Sequence, residues 1–207
     1  MIKLLFIDMS KTLVKGSGAN SGAEYLKKGD RYKEIYPEYT KGQITMEELL
    51  KETYACWKGL NVSDLPEVYK TFEFNDGAKE AVRAIKERGM KTALLTQIPT
   101  HLGSLFQDDL GFDYIAGTVL EVKDGAFTGR ILEYHDNKKK EAEKILEKER
   151  ISPKDAVSIG DRKDDADVFK LVRFGIAYNG DEAAKKAAKY RITDFRELLG
   201  IIEKESG

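Results

Sequence analysis

Residues 2–7, Ile-Lys-Leu-Leu-Phe-Ile, form an almost unbroken apolar run that stops at Asp8, and no other feature restricts the fold as much. A strand apolar at successive positions has no face to offer water, so it belongs in a sheet covered by helices on both sides, as parallel sheets are. Similar short runs recur at Thr92 to Leu95, Ala156 to Ile159 and Phe174 to Ala177, with a weaker one at Tyr190 to Ile192. Amphipathic segments separate them: Ala78, Ala81, Val82 and Ile85 share one helical face before Gly89, and Ala142, Ile145 and Leu146 share another. Strands alternating with such helices make βαβ units, so the expected fold class is α/β with a doubly wound parallel sheet. One departure is Thr118 to Val122 and Ala126 to Gly129 about Asp124-Gly125, which predicts a β-hairpin.

Between the first and second strands the alternation fails, because residues 15–75 carry helical pattern only. Thr45 and Glu48 make a capping box ahead of Met46, Leu49, Leu50, Thr53, Tyr54 and Trp57, and Tyr32, Ile35, Tyr36 and Tyr39 form a second stripe. This predicts a small all-helical domain at 15–75 inserted into a core of 1–14 and 76–207, with 16–22 and 73–77 as hinges. The stripe of tyrosines is expected as helix core.

Composition removes several classes of function. Thirty-five Lys and Arg against 36 Asp and Glu leave a net charge of −1, too little for a nucleic-acid binder. No apolar run approaches the ~20 residues of a membrane span, and no leader precedes the first strand, so a soluble cytoplasmic protein is expected, monomer or homodimer. One cysteine and two histidines are too few for a soft-ligand metal site, and Cys56 beside Trp57 is expected to pack. The Lys- and Glu-rich surface leans towards a hot-environment source. Gly16-x-Gly18 lies too far past the strand and lacks the third glycine of a dinucleotide fingerprint.

Ligands of open α/β sheets bind beyond the carboxyl ends of the strands. Those ends carry Asp8-Met9-Ser10, Thr96 and Gly160-Asp161-Arg162-Lys163-Asp164-Asp165. Carboxylates from two strands and a hydroxyl suit a hard cation such as Mg²⁺ together with phosphate oxygens. A lysine for the phosphoryl charge is available in Lys138-Lys139-Lys140. At about 100° per residue, Lys138 falls roughly 30° from the apolar direction of Ala142, Ile145 and Leu146, Lys139 nearly 70° from it and Lys140 on the opposite side. Asp164 and Asp165 compete for one role, and the spacing favours Asp165.

Asp8 with Thr12 four residues on, Thr96, Lys138 and Gly160-Asp161-x-x-x-Asp165 resemble the four motifs of the haloacid dehalogenase-like (HAD) hydrolase superfamily. The helical insert and the Asp124-Gly125 hairpin are most similar to its phosphoserine phosphatase branch, which has a Rossmann-like core and a small helical cap. The resemblance implies a Mg²⁺-dependent phosphatase of a small phosphorylated metabolite. In it Asp8 is the nucleophile that forms an aspartyl-phosphate. Asp8, the Ser10 carbonyl, Asp161 and Asp165 hold the metal, and Thr96, Gln97 and Lys138 meet the phosphate.

Two departures matter. The family's phosphatases usually place an acid/base Asp two residues after the nucleophile, where this chain has Ser10, whose hydroxyl titrates too high for that task. The phosphoserine phosphatases also carry a cap arginine at the position of Thr53 and Gly-Gly at Gln97-Ile98. Phosphoserine is therefore not the expected substrate, and good leaving groups are expected to be cleaved better than alkyl ones. A catalytically weakened phosphate-binding or regulatory module, and a dehalogenase or phosphonatase, stay open as readings. Tyr25, Tyr32, Thr53 and Trp57 are expected near the pocket, and His101, in a loop after the second strand, at the surface.

Overall fold

The computed structural model describes residues 1–135 and 137–206. Seven strands, β1 (Leu4–Asp8), β2 (Lys91–Pro99), β3 (Tyr114–Lys123), β4 (Ala126–Glu133), β5 (Ala156–Gly160), β6 (Phe174–Tyr178) and β7 (Tyr190–Ile192), form one sheet in the order β4-β3-β2-β1-β5-β6-β7. Every pairing is parallel except β3 with β4. The sheet is therefore mixed: β3 runs parallel to β2 through Ala93↔Tyr114 to Leu95↔Ala116 before turning into the hairpin. The hairpin foreseen in the sequence is the outer part of the sheet.

Burial of β1 on both faces follows from alternation. Leu5 and Ile7 join one apolar cluster with Val82, Ile85 and Leu198, while Leu4 and Phe6 join another with Ala142, Leu146 and Val168. The helices that supply these residues are α5 (Ala78–Glu87) and α10 (Arg196–Ser206) on one face, α7 (Lys138–Glu149) and α8 (Lys163–Leu171) on the other. Their remaining companions are α6 (Thr100–Leu110) and α9 (Glu182–Ala187). None of the described helices is long and apolar enough to cross a membrane.

Four helices fill the segment between β1 and α5: α1 (Ser21–Tyr25), α2 (Asp30–Thr40), α3 (Met46–Ala55) and α4 (Leu65–Lys70). The capping box at Thr45 forms, with Thr45 Oγ1 accepting from the Glu48 amide and Glu48 Oε2 accepting from the Thr45 amide. Leu50, Tyr54 and Trp57 enter the same apolar cluster as the sheet. Trp57 packs edge-on against Tyr54 and Phe127 and donates from Nε1 to the Ala19 carbonyl at 3.0 Å. Gly22 lies so close that a Cβ there would stand 2.5 Å from the Trp57 ring, so α1 approaches only because that residue lacks a side chain. Backbone bonds from Gly59 and Val62 to Phe127 and Gly125 tie this helical segment to the hairpin.

Strand register decides what meets at the carboxyl edge. Asp8 pairs with Leu95, and Ile7 with Ile159. Thr96 and Asp161 therefore emerge one step beyond the level at which Asp8 ends its own strand.

Candidate active site

Past β1 the chain turns sharply. The Met9 carbonyl accepts from the amides of Thr12, Leu13 and Val14 at 3.2, 2.9 and 3.0 Å, and Lys11 takes the left-handed conformation. The Gly18 amide then donates to Ser10 Oγ at 3.0 Å, folding the next loop back over the strand end. Thr12 is fully buried, and its carbonyl accepts from Asn75 Nδ2 at 2.7 Å.

Three carboxylates converge here. Asp8, Asp161 and Asp165 are all buried, and each offers one oxygen within 4.8 Å of the others. Lys138 reaches in from the first turn of α7, with Nζ 2.6 Å from Asp8 Oδ1, 2.7 Å from Asp165 Oδ1 and 3.2 Å from Asp164 Oδ2. Of the three neighbouring lysines only this one is buried, as its helical phase predicts. The competition between Asp164 and Asp165 has a physical resolution. Asp165 Oδ2 accepts from the amides of Asp161 and Arg162 at 3.0 and 3.1 Å, which fixes the start of α8 and turns Oδ1 inward. Asp164 is partly exposed and lines the mouth.

The charges in this cluster are unbalanced. Burial, reinforced by the neighbouring Asp8 charge, raises the Asp161 carboxyl to about 7. Burial pushes Asp165 well above the usual carboxylate range despite Lys138. For Lys138 burial acts to lower the pKa, and the charges of Asp164, Asp165 and Asp8 more than reverse it, so the ammonium is held. Asp8 Oδ2 and Asp161 Oδ1 are buried without a hydrogen-bond partner. Orphaned anionic oxygens are costly unless something positive meets them, and an all-oxygen donor set of this kind fits a hard divalent cation.

Above the cluster opens a cleft of about 580 Å³, its mouth included. Asp8, Ser10, Thr96, Gln97 and Lys138 line it from the sheet side, with Asp164 at its mouth. Thr96 Oγ1 accepts from the Ile98 amide at 3.2 Å. Gln97 reaches the cleft with its side chain already engaged, its amide donating to the His135 carbonyl and its Oε1 accepting from Thr118 at 3.2 Å. The strand carrying both runs on to Pro99 through an irregularity in register, further than the apolar run alone indicates.

The helical segment supplies the opposite wall through Tyr32, Tyr36, Tyr39, Met46, Leu49 and Leu50. The tyrosine stripe, expected as core, thus faces the cleft and only its Ile35 is buried, because α2 lies across the mouth rather than inside the segment. Of the four residues expected near the pocket, Tyr32 alone lines it. Tyr25 is exposed, Trp57 is in the core, and Thr53 is buried with its hydroxyl donating to the Leu49 carbonyl at 2.6 Å. His101 sits on α6, not in a loop; it is half-buried, edge-on to Phe127 and off the cleft.

Arg162 was not singled out by sequence reasoning. It lines the cleft, Nε lies 3.6 Å from Asp161 Oδ1, and Nη1 donates to the Tyr36 hydroxyl at 3.1 Å. Burial opposes its charge, but Asp164, Asp8 and Asp161 hold it protonated. The signal was its place immediately after a strand-end carboxylate. Lys11 contacts the same phenol, with Nζ 3.5 Å from its oxygen and 5.3 Å from the ring centre. Burial raises the Tyr32 phenol to about 12 and moves Tyr39 upward too, so both stay neutral across the physiological range.

Comparison with known proteins agrees with this fold. Residues 5–170 match the family model for haloacid dehalogenase-like hydrolases. Curated phosphoserine phosphatases are similar. The one from Archaeoglobus fulgidus is 33% identical over 202 residues, which cover 96% of this chain and 58% of that protein. The one from Methanocaldococcus jannaschii is 29% identical, covering 97% of this chain and 98% of that one. The chain thus spans little more than half the length of the first relative and nearly all of the second. Among solved structures, a substrate-bound phosphoserine phosphatase complex superposes with a TM-score of 0.84 at 27% identity. A phospho-aspartyl intermediate analogue of a phosphoserine phosphatase gives 0.83 at 28%; both alignments cover 97% of this chain and 98% of the other.

Proposed function

We propose that this chain, which belongs to the haloacid dehalogenase-like hydrolase family, is a Mg²⁺-dependent phosphatase acting on a small phosphorylated molecule through an aspartyl-phosphate at Asp8. One observation carries the reading: Lys138 holds one oxygen of Asp8 while the other is buried and accepts no hydrogen bond, like Asp161 Oδ1, which has the Arg162 guanidinium 3.6 Å away. A nucleophilic carboxylate needs that arrangement, since one side is oriented and the anionic surroundings call for a cation.

Asp8, the Ser10 carbonyl, Asp161 and Asp165 would hold the metal, which supplies charge neutralisation between a carboxylate nucleophile and an anionic phosphate. Lys138 and the Thr96 hydroxyl would receive the phosphoryl oxygens, with Gln97 bordering them through its fixed side chain. Attack by an Asp8 oxygen on phosphorus expels the alcohol, and water then cleaves the acyl phosphate to restore Asp8 and release phosphate. Phosphoryl transfer asks chiefly for such positioning and charge stabilisation. Residues 15–75 act as the cap over a core of 1–14 and 76–207, and closure of α2 and α3 over the cleft would exclude water.

Phosphoserine is not the substrate in this reading. Thr53, at the position where the family resemblance implies a cap arginine, is buried and bonded to its own helix. No lysine of residues 15–75 lines the cleft, which disfavours a phosphonatase. Ser10 supports one competing reading, a phosphate-binding module with little turnover.

The test is phosphate release from acetyl phosphate with and without Mg²⁺, alongside Asp8→Asn. Release that needs both the metal and Asp8, with a phosphoryl-sized mass increase trapped on the intact protein, is expected. Mg²⁺ and phosphate binding without release from any phosphate overturns the reading in favour of the binding module.

A further inference from the structure

The wall facing Asp8 across the cleft carries no charge. Every residue that the helical segment's α2 and α3 present there is a neutral aromatic or aliphatic: Tyr32, Tyr36, Tyr39, Met46, Leu49 and Leu50. The cations of the cleft, Lys11, Lys138 and Arg162, all come from the sheet side. The part of a substrate that leaves therefore meets a surface suited to an apolar, planar body. The tyrosines follow one another along α2: Tyr32 and Tyr36 stack at 5.2 Å with 28° between their planes, and Tyr36 and Tyr39 are tilted at 6.1 Å, all three lining the cleft. That face is held from below, because Arg162 and Lys11 both donate to the Tyr36 hydroxyl.

A second observation is chemical and independent of shape. At Ser10 the cleft has a hydroxyl engaged with the Gly18 amide, where proton donation to a leaving oxygen would need a titrating group. Without a donor, the leaving oxygen departs as an anion. An aliphatic alcohol, with a pKa near that of water at about 16, leaves poorly that way. A phenol, near 10 like the tyrosine side chain, leaves readily.

We infer that the site is built for phosphate monoesters of phenol-type alcohols, the aromatic body lying against the tyrosine face and leaving as a phenolate. The inference rests on the proposal that Asp8 is the nucleophile. An Asp8 oxygen forms a bond to phosphorus as the phosphorus–aryloxygen bond breaks. The electron pair goes with the phenolate, which takes its proton from water. Water then attacks phosphorus and breaks the bond to Asp8, and the sum is aryl phosphate plus water to phenol plus inorganic phosphate.

Four probes separate the claims. Acetyl phosphate needs neither an acid nor an apolar pocket and reports the Asp8 chemistry alone. Phenyl and 2-naphthyl phosphate have similar leaving groups and differ by one fused ring. The naphthyl ester should show a KM about tenfold lower, the worth of burying that ring. 2-Naphthylmethyl phosphate keeps the aromatic body on an alkyl oxygen. It should compete with the naphthyl ester at similar affinity yet turn over about 10² to 10⁴ times more slowly, the usual contribution of a general acid. Tyr39→Ala should lower the ratio of naphthyl to acetyl phosphate kcat/KM about tenfold, and Tyr39→Phe should restore it. Equal KM for phenyl and naphthyl esters, or a naphthyl-to-acetyl ratio indifferent to Tyr39→Ala, overturns the inference while acetyl phosphate turnover leaves the phosphatase standing. Silence with acetyl phosphate overturns both.

Discussion

Replacing Lys138 with methionine tests the site through stability as well as activity. The ammonium lies 2.6 Å from Asp8 and 2.7 Å from Asp165, both buried. At an effective dielectric constant near 20 each contact is worth about 6 kcal/mol gross. Burying the ions costs several kcal/mol apiece, so the net loss on removing one partner is about 3 to 5 kcal/mol, mostly from carboxylates left without a counter-charge. Asp164, 3.2 Å from the ammonium, adds to the charge that holds it. The pH dependence has a definite sign. Burial already raises Asp165 and Asp161, and loss of Lys138 raises them further. A carboxylate whose folded pKa exceeds its unfolded one destabilises the fold above the folded value and stops doing so as pH falls through it. The deficit in Lys138→Met should therefore be largest near about pH 8 and shrink towards about pH 5. Urea unfolding of the chelator-treated protein at the two pH values measures it. Adding Asp165→Asn should return part of the loss, because one of the stranded charges is gone. A change below about 1 kcal/mol at both pH values, or a deficit that grows towards acid, would refute the view that Lys138 neutralises the buried carboxylates. Acetyl phosphate turnover should fall about 10³-fold in the same variant, the scale of losing a preorganised charge at a transferring group.

Other outcomes follow from the same geometry. Ser10→Asp places a carboxyl where a leaving oxygen can be protonated and should raise alkyl phosphate turnover about 10²-fold while leaving aryl phosphates nearly unchanged; equal gains for both would show that proton donation was not the missing element. In metal-free protein, the Asp161 carboxyl at about 7 makes the fold lose stability as pH rises through that value. Saturating Mg²⁺ should flatten this slope in thermal melts, and a slope unchanged by Mg²⁺ would argue that the cation binds elsewhere. Thr45→Ala removes the capping box of α3, which should cost about 1 kcal/mol and lower Tm by about 2–4 °C in a chain of this size.

Much of the site was legible in the chain because two local patterns carry it. Short apolar runs identify β1 and β5 as strands buried on both faces, and the ends of those runs place Asp8 and Asp161 at a sheet edge. Helical phase then selects Lys138 from three adjacent lysines, since only one of them lies over the apolar direction of α7. These are local properties, and local spacing encodes them. Thr96 lies inside its strand, which continues to Pro99, and not at the strand end that the apolar run indicates; the register shift between Leu95 and Pro99 spans it.

Other parts depended on placement. Nothing in the stripe Tyr32, Tyr36 and Tyr39 distinguishes a face packed inside a helical segment from a face laid across a cleft; both need apolar residues at the same spacing. α2 is tied instead to residues distant in sequence, through Arg162 and Lys11 on the Tyr36 hydroxyl. The parallel pairing of β3 with β2 was likewise hidden behind the stronger turn signal of Asp124-Gly125. The sequence by itself determined the α/β class, the strand ends and the phase of α7, all of which follow from patterns a few residues long. Only the tertiary structure decided that Tyr32, Tyr36 and Tyr39 line the cleft that holds Asp8, because that depends on how one inserted segment docks on the sheet.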